Sequence, residues 1–167
     1  MKEPVLILLK PDCLHKSLIG NVLSRLAETH LEIIAARMVK VTKKLAEEHY
    51  GHLKKKPFFG EMIRYMLGEF HKGKNILALI YYGEGAVRKC RQLAGVTNPE
   101  EACPTSIRGS FGRITTRGVF ENVIHVSGSS TETEREIKVW FYPDDILSNI
   151  YPTKIKKADI YQERIWA

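Results

Sequence analysis

Cysteine is scarce in this chain: three residues in 167, Cys13, Cys90 and Cys103, with no pair spaced as CxxC. An odd number at wide spacing excludes a disulfide framework and a cysteine-built zinc site, so reduced thiols are expected. No apolar run approaches the ~20 residues a membrane helix needs. The stretch Val5-Leu6-Ile7-Leu8-Leu9 is too short for a secretory signal and lacks a small-residue cleavage site after it. The expectation is a cytoplasmic protein without a membrane partner. Internal repeats and linker-like segments are also missing, and the length suits one domain. Acidic residues are outnumbered, 19 against 26 Lys and Arg, for a formal net charge of +7. That surplus points to a partner carrying phosphate, without separating a nucleotide from a nucleic acid.

What is present reads as alternating strands and helices. Pro4 to Lys10 is a buried-strand run that a turn at Pro11-Asp12 ends. Ile19, Val22, Leu23 and Leu26 fall on one helical face, Leu31 to Val41 reads as a second strand, and Lys43 to Tyr50 as a helix. After Pro57, the residues Phe59, Met62, Ile63, Met66 and Leu67 repeat at helical spacing. Gly68 to Asn75 is a polar loop, Ile76 to Tyr82 the clearest strand, and Ala86, Cys90, Leu93 and Ala94 the apolar side of the next helix. Asn98-Pro99-Glu100-Glu101 carries the signals of a brief helix start, and Ile107-Arg108-Gly109 reads as a glycine-containing loop. Asn122 to Ser127 reads as a strand, and Ser129 and Thr131, each three residues before a glutamate, open a helix to about Phe141. This order fits an α+β fold with a ferredoxin-like βαββαβ core, a four-stranded and mostly antiparallel sheet with surrounding helices. Residues 1–148 form the domain; 149–167 are a basic C-terminal tail, expected to pack on the same domain or on a neighbouring subunit.

Two apparent motifs fail on context. Gly68 to Asn75 nearly spells GxxxxGK[ST], but that loop must follow a strand and open a helix, and here the order is reversed. His49 and His52 lack any partner at ligand spacing, so a solvated or capping role is expected rather than metal binding. The segment from Arg91 to Glu136 carries more. Arg91 and Arg108, with Lys10, can neutralise a polyphosphate without a P-loop, and a neutral His125 can act as nucleophile if a carboxylate such as Glu136 fixes its tautomer. Taken singly, His125 also reads as a core histidine, and Glu136 as a surface acid.

The order of several motifs adds to this. Lys10-Pro11-Asp12, His49-Tyr50 followed by Pro57-Phe58-Phe59, Arg91 leading to Gly95-Val96-Thr97-Asn98-Pro99, Ile107-Arg108-Gly109, Asn122-Val123-Ile124-His125-Val126-Ser127 and Glu134-Arg135-Glu136-Ile137 run in sequence across residues 5 to 145. In this the chain resembles the nucleoside diphosphate kinases. The resemblance implies a ping-pong kinase in which His125 takes the terminal phosphoryl group of a nucleoside triphosphate and a nucleoside diphosphate collects it. It implies catalytic His125, Glu136, Lys10 and Tyr50, and nucleotide contacts at Lys10, Phe58, Arg91, Thr97, Arg108 and Asn122. Phe58 would stack on the base, Asn122 would meet the ribose, and Ser127 would support the nucleophile. Mg2+ would ride on the nucleotide phosphates with no ligand from the protein. A homo-oligomer, hexamer or tetramer, is implied as well.

The chain departs from the family pattern at Val126, Gly128, Thr105-Ser106 and Ser110, and is longer at 69–74 and 111–121. Alternation along the strand places Val126 on the face opposite His125, where its bulk leaves the nucleotide room. The alternative reading is a catalytically weakened family member acting as a nucleotide- or nucleic-acid-binding protein. Its one strand pair suited to base stacking is Tyr81-Tyr82.

Overall fold

The computed structural model of the protein describes residues 2–71, 73 and 75–155. In chain order the elements are β1 (Lys2–Leu9), α1 (Pro11–His15), α2 (Ile19–Ala27), β2 (Glu32–Lys40), α3 (Lys43–His49), α4 (Phe59–Met66), β3 (Asn75–Glu84), α5 (Ala86–Ala94), α6 (Ile107–Phe111), β4 (Arg113–Ile114), β5 (Phe120–Glu121), β6 (Ile124–Val126) and α7 (Ser130–Trp140). Four strands form one sheet in the order β2-β3-β1-β6. All its pairings are antiparallel, from Lys2↔Glu84 to Leu9↔Leu77 between β1 and β3, and Leu8↔His125 between β1 and β6. This is the ferredoxin-like arrangement, and β4 with β5 adds a separate hairpin.

The central position of β1 explains its unbroken apolar run, since Val5 to Leu9 are fully buried between two helical layers. Alternation sorts the sheet into two faces. Leu6, Leu8, Ala78 and Ile80 pack with Ala46, Tyr50, Ile63, Met66, Ile137 and Trp140 from α3, α4 and α7 and the segment after α3. Val5, Ile7, Leu9, Ile124 and Val126 pack on the other face with Val22, Leu26, Cys90 and Ile107 from α2, α5 and α6. Tyr81 belongs to the second cluster and Tyr82 packs against the first. Both faces are thus covered at the central strands β1 and β3, and neither tyrosine offers a free stacking platform for nucleic acid.

Four local expectations are corrected. Pro11-Asp12 begins a helix, because proline at the first helical position has no N–H to leave unbonded. Asn98-Pro99 makes a turn, in which the Asn98 side chain and carbonyl take the N–H groups of Glu100 (3.1 Å) and Glu101 (3.2 Å), and the chain does not go on as a helix. Ile107-Arg108-Gly109 is helical, capped by Ser106, whose Oγ accepts from Gly109 N. The strand expected over 122–127 narrows to Ile124–Val126, because Val123 sits at a φ of 54°, which breaks the ladder. Ser129 caps α7 as expected, while Thr131 lies within its first turn, and the Glu132 carboxylate bonds Gly128 N, not Ser129 N. In the tail, Leu147 N bonds Ile34 O at 3.0 Å and Tyr151 packs on the first core cluster; residues 156–167 lie outside the described residues. Among the described residues no helix is long and apolar enough to cross a membrane.

Candidate active site

His125 is paired with Leu8 across the β1–β6 ladder and so faces the α3, α4 and α7 layer. Val126 is buried in the opposite cluster, as alternation requires. The His125 side chain keeps 17% of its surface exposed, while Glu136, on the buried side of α7, keeps 1%. His125 Nε2 lies 2.9 Å from Glu136 Oε2, which also accepts the Ser127 hydroxyl at 2.6 Å. A carboxylate only accepts, so the proton belongs on Nε2 and the lone pair on Nδ1, which makes no hydrogen bond among the described residues. Arg135 Nη2 stands 3.4 Å from Glu136 Oε1.

Burial lowers the His125 pKa, and the Lys10 and Arg108 charges add to that. The hydrogen bond and charge of Glu136 oppose them without cancelling them. Burial pushes the Glu136 carboxyl up, but the bonds from His125 and Ser127 and the Arg135 charge outweigh it and leave it ionised below its usual range. The ring is therefore neutral and nucleophilic near pH 7.

Around it stand cations with no acid partner. Lys10, at the end of β1, donates from Nζ to Asn122 Oδ1 at 2.7 Å, and Asn122 Nδ2 donates to Thr97 O at 3.0 Å. Burial, then the Arg108 charge, lowers the Lys10 pKa to about 8. Arg108 donates to two backbone carbonyls, Gly95 O at 2.6 Å and Ile124 O at 3.0 Å, and its Nε has no partner. Burial and then the Arg91 charge bring its pKa down to about 10. Two glycines permit this anchoring. Gly95 sits at a φ of 83° against Ser106, and a Cβ on Gly109 would collide with the Cys103 carbonyl. Among the described residues, Lys10, Arg91 and Arg108 form no salt bridge, so they concentrate positive potential where an anion would neutralise it.

The structure brings Lys10, Thr97, Arg108, Asn122, His125, Ser127 and Glu136 together. Arg91 is exposed on α5 close enough to lower the Arg108 pKa. Tyr50 is buried beside His125, ring centroids 6.2 Å apart, with its hydroxyl toward Met66 Sδ at 3.9 Å. Phe58 is half exposed before α4, and no described hydrogen bond ties it to the others.

His49 is a correction: it is neither solvated nor a cap but fully buried, its ring edge-on to His125 at 4.6 Å and its Nδ1 accepting the Trp140 indole N–H at 3.0 Å. Its burial had no signal in the sequence beyond its place three residues after Ala46 on one helical face. Asp12, also fully buried, accepts the Tyr65 hydroxyl at 2.5 Å and Val123 N at 3.0 Å. It thereby holds Val123 in a left-handed conformation that a β-branched residue rarely adopts, and so sets the path of the chain between Asn122 and His125. Glu121, next to Asn122, is buried in contact with Lys16 at 2.6 Å, Arg113 at 2.6 Å and His71 at 3.7 Å. Apart from Arg113 and Glu121, which are eight residues apart, these contacts join residues 50 to 111 apart in the chain, which no local pattern could have joined.

His49, His125 and Glu136 offer ligand atoms within 4.8 Å of one another. They do not suit a metal, because the Trp140 indole proton on Nδ1 of His49 forces that ring's own proton onto Nε2, and Glu136 already holds the Nε2 proton of His125.

Against known proteins, the sequence profile described as nucleoside diphosphate kinase matches residues 3–146. The chain is 36% identical over 165 residues to a nucleoside diphosphate kinase of Archaeoglobus fulgidus, covering 97% of this chain and 99% of that one. It superposes with a TM-score of 0.79 on a Halobacterium salinarum nucleoside diphosphate kinase in complex with CDP, at 31% identity over 89% of this chain and 93% of that one. A transition-state mimic of the Borrelia burgdorferi enzyme with vanadate and ADP gives 0.79 at 27% identity, over 95% and 94%.

Proposed function

This chain belongs to the nucleoside diphosphate kinase family, and we propose that it moves the terminal phosphoryl group between nucleotides through a phosphohistidine at His125. The observation that carries this reading is the His125 ring, with Nε2 bonded to a buried carboxylate and Nδ1 unbonded beside cations that lack acid partners. In the first half-reaction Nδ1 attacks the γ-phosphorus in line, the bond to the bridging oxygen breaks, and the diphosphate leaves with the electron pair. The ring becomes cationic, and Glu136 stabilises it through the proton that stays on Nε2. In the second, the terminal oxygen of an incoming diphosphate attacks the phosphorus, the P–N bond breaks, and its electrons return to Nδ1.

Positioning and charge stabilisation supply most of the rate in phosphoryl transfer. Arg91, Thr97 and Arg108 take the phosphates, Lys10 the phosphates and a sugar hydroxyl, Asn122 the ribose, and Phe58 the base face. Tyr50 and Ser127 fix the surroundings of the nucleophile. Among the described residues the site's cations have no acid partner, which suits a substrate that arrives as its magnesium complex. Further parts of the proposal are a homo-oligomer and a cytoplasmic home, the latter in keeping with three unpaired thiols.

The test is to incubate the protein with magnesium and ATP labelled on the terminal phosphate and to chase with GDP. An acid-labile, alkali-stable phosphoprotein that chases into GTP, and that His125→Ala does not form, is the expected result. Labelling retained in His125→Ala would reject the assignment.

A further inference from the structure

Resting on the phosphohistidine reading, we infer that His49 is a positioning residue for His125: the Trp140 indole locks it as a neutral Nε2–H donor aimed at the Glu136 carboxylate, which in turn sets the nucleophile.

The argument starts from proton inventory. Trp140 Nε1 is a donor only, and it lies 3.0 Å from His49 Nδ1, which must therefore carry the lone pair. The His49 proton is then on Nε2. That atom is fully buried and has no hydrogen-bond partner, standing 3.9 Å from Glu136 Oε1. An orphaned buried N–H is costly, and native structures keep one where it has a use. The acceptor it faces at that distance is the carboxylate that holds the nucleophile. Oε2 of that carboxylate is already served by His125 and Ser127, whereas Oε1 has only the long 3.4 Å contact from the half-exposed Arg135. A small shift of the carboxylate toward His49 would give Oε1 a second donor.

The arrangement is also fixed against titration. The groups that face His49 are His125 from β6, Trp140, Arg135 and Glu136 from α7, Lys10 from β1, and Tyr50 and His52 beyond α3. Burial, followed by the charges of His125, Arg135, Lys10 and His52, holds its pKa well below the ordinary value. Arg135 further ties the end of α3 in place through Nη1 to His49 O at 3.0 Å. His49 thus stays a neutral donor across the working range, and a donor on Oε1 tempers the basicity of Glu136 and with it the pKa of His125.

Three variants test this, read by kcat, KM and the pH profile of His125 phosphorylation. His49→Ala should lower kcat roughly tenfold, the effect of one hydrogen bond to a charged group, leave KM near wild type, and move the acid limb to higher pH, because an unshared Glu136 charge favours the imidazolium. His49→Gln, whose amide can accept from Trp140 and donate to Glu136, should restore most of both. Trp140→Phe keeps the ring packing and releases the tautomer; nitrogen-15 NMR should show His49 losing its pure Nε2–H form, with kcat falling severalfold. An unmoved acid limb in His49→Ala, or equal losses in the Ala and Gln variants, would reduce His49 to packing. Absence of any phosphohistidine in the wild-type protein would instead overturn the reading on which this rests.

Discussion

The two sides of the His125 ring are built on opposite rules. On the Nε2 side, Glu136, Ser127, His49 and Trp140 are at most 3% exposed, and Glu136 Oε2 has two donors. Around the rest of the ring, Lys10 and Arg108, with Arg91 close to Arg108, hold positive charge and form no salt bridge among the described residues, and Arg108 is braced by carbonyls that cannot neutralise it. One side is finished by the fold; the other is left for a polyanion to finish. The difference teaches that preorganisation here has two costs, burial of a carboxylate on one side and crowding of cations on the other, and only the second is relieved by substrate.

Breaking the junction between the sides should have the largest effect. His125→Ala should abolish transfer, by about 10⁴-fold or more, as removal of a nucleophile does elsewhere, while thermal denaturation and nucleotide binding stay near wild type. On the open side, Arg108→Ala should cost about 10²- to 10³-fold in kcat/KM, typical of a preorganised donor to transition-state charge. Arg108→Lys should recover little of it, because one ammonium cannot span Gly95 O and Ile124 O, and steady-state kinetics with ATP and a diphosphate would reveal any recovery.

The scaffold beneath both sides can be probed through Glu121. Burial alone would raise its pKa, but the bonds from Arg113 and Lys16 and their charges bring it to about 2. A carboxyl depressed on folding contributes stability that is present above its unfolded value and lost as pH falls through the folded one. Urea titrations should therefore show about 2 to 3 kcal/mol draining away between pH 4.5 and 2 in the wild type. Glu121→Gln should lack that loss, starting lower at neutral pH.

On the sealed side, Glu136→Gln should reduce kcat roughly tenfold, the effect of losing a hydrogen bond to a charged group, and shift the acid limb of the rate to lower pH. The sign follows from Glu136 raising the His125 pKa, so that without its charge the ring stays unprotonated further into acid. A limb displaced upward would mean that Glu136 does not govern the nucleophile. The smallest effect belongs to Phe58, half exposed and outside the hydrogen-bonded cluster. Phe58→Ala should raise KM about fivefold to tenfold, alike for adenine and guanine nucleotides, since stacking is worth ~1–3 kcal/mol and tolerates every base. Unequal losses would show that stacking alone does not hold the base.

Much of this was legible in the chain. The βαββαβ order, the two-sided burial of β1 and the facing of His125 away from Val126 all follow from periods of 2 and 3.6, which act over a few residues. Lys10, Arg108, Asn122, His125 and Glu136 could be named because their residue types suit phosphate chemistry and their motifs run in order. The errors fell where a local signal was overruled: the Asn98-Pro99 cap opened only a turn, and the six residues from Asn122 kept three in the strand because Asp12 holds Val123 at positive φ.

The sequence by itself determined the succession of the main strands and helices, the class of fold and the kind of chemistry on offer, since each depends on side-chain character and near neighbours. Only the tertiary structure decided which groups are sealed and which are open. It put Trp140, 91 residues from His49, against Nδ1, and Asp12, 111 residues from Val123, against its N–H. A proton's location and a cation's lack of a partner depend on distances and desolvation in three dimensions, which no spacing along the chain encodes.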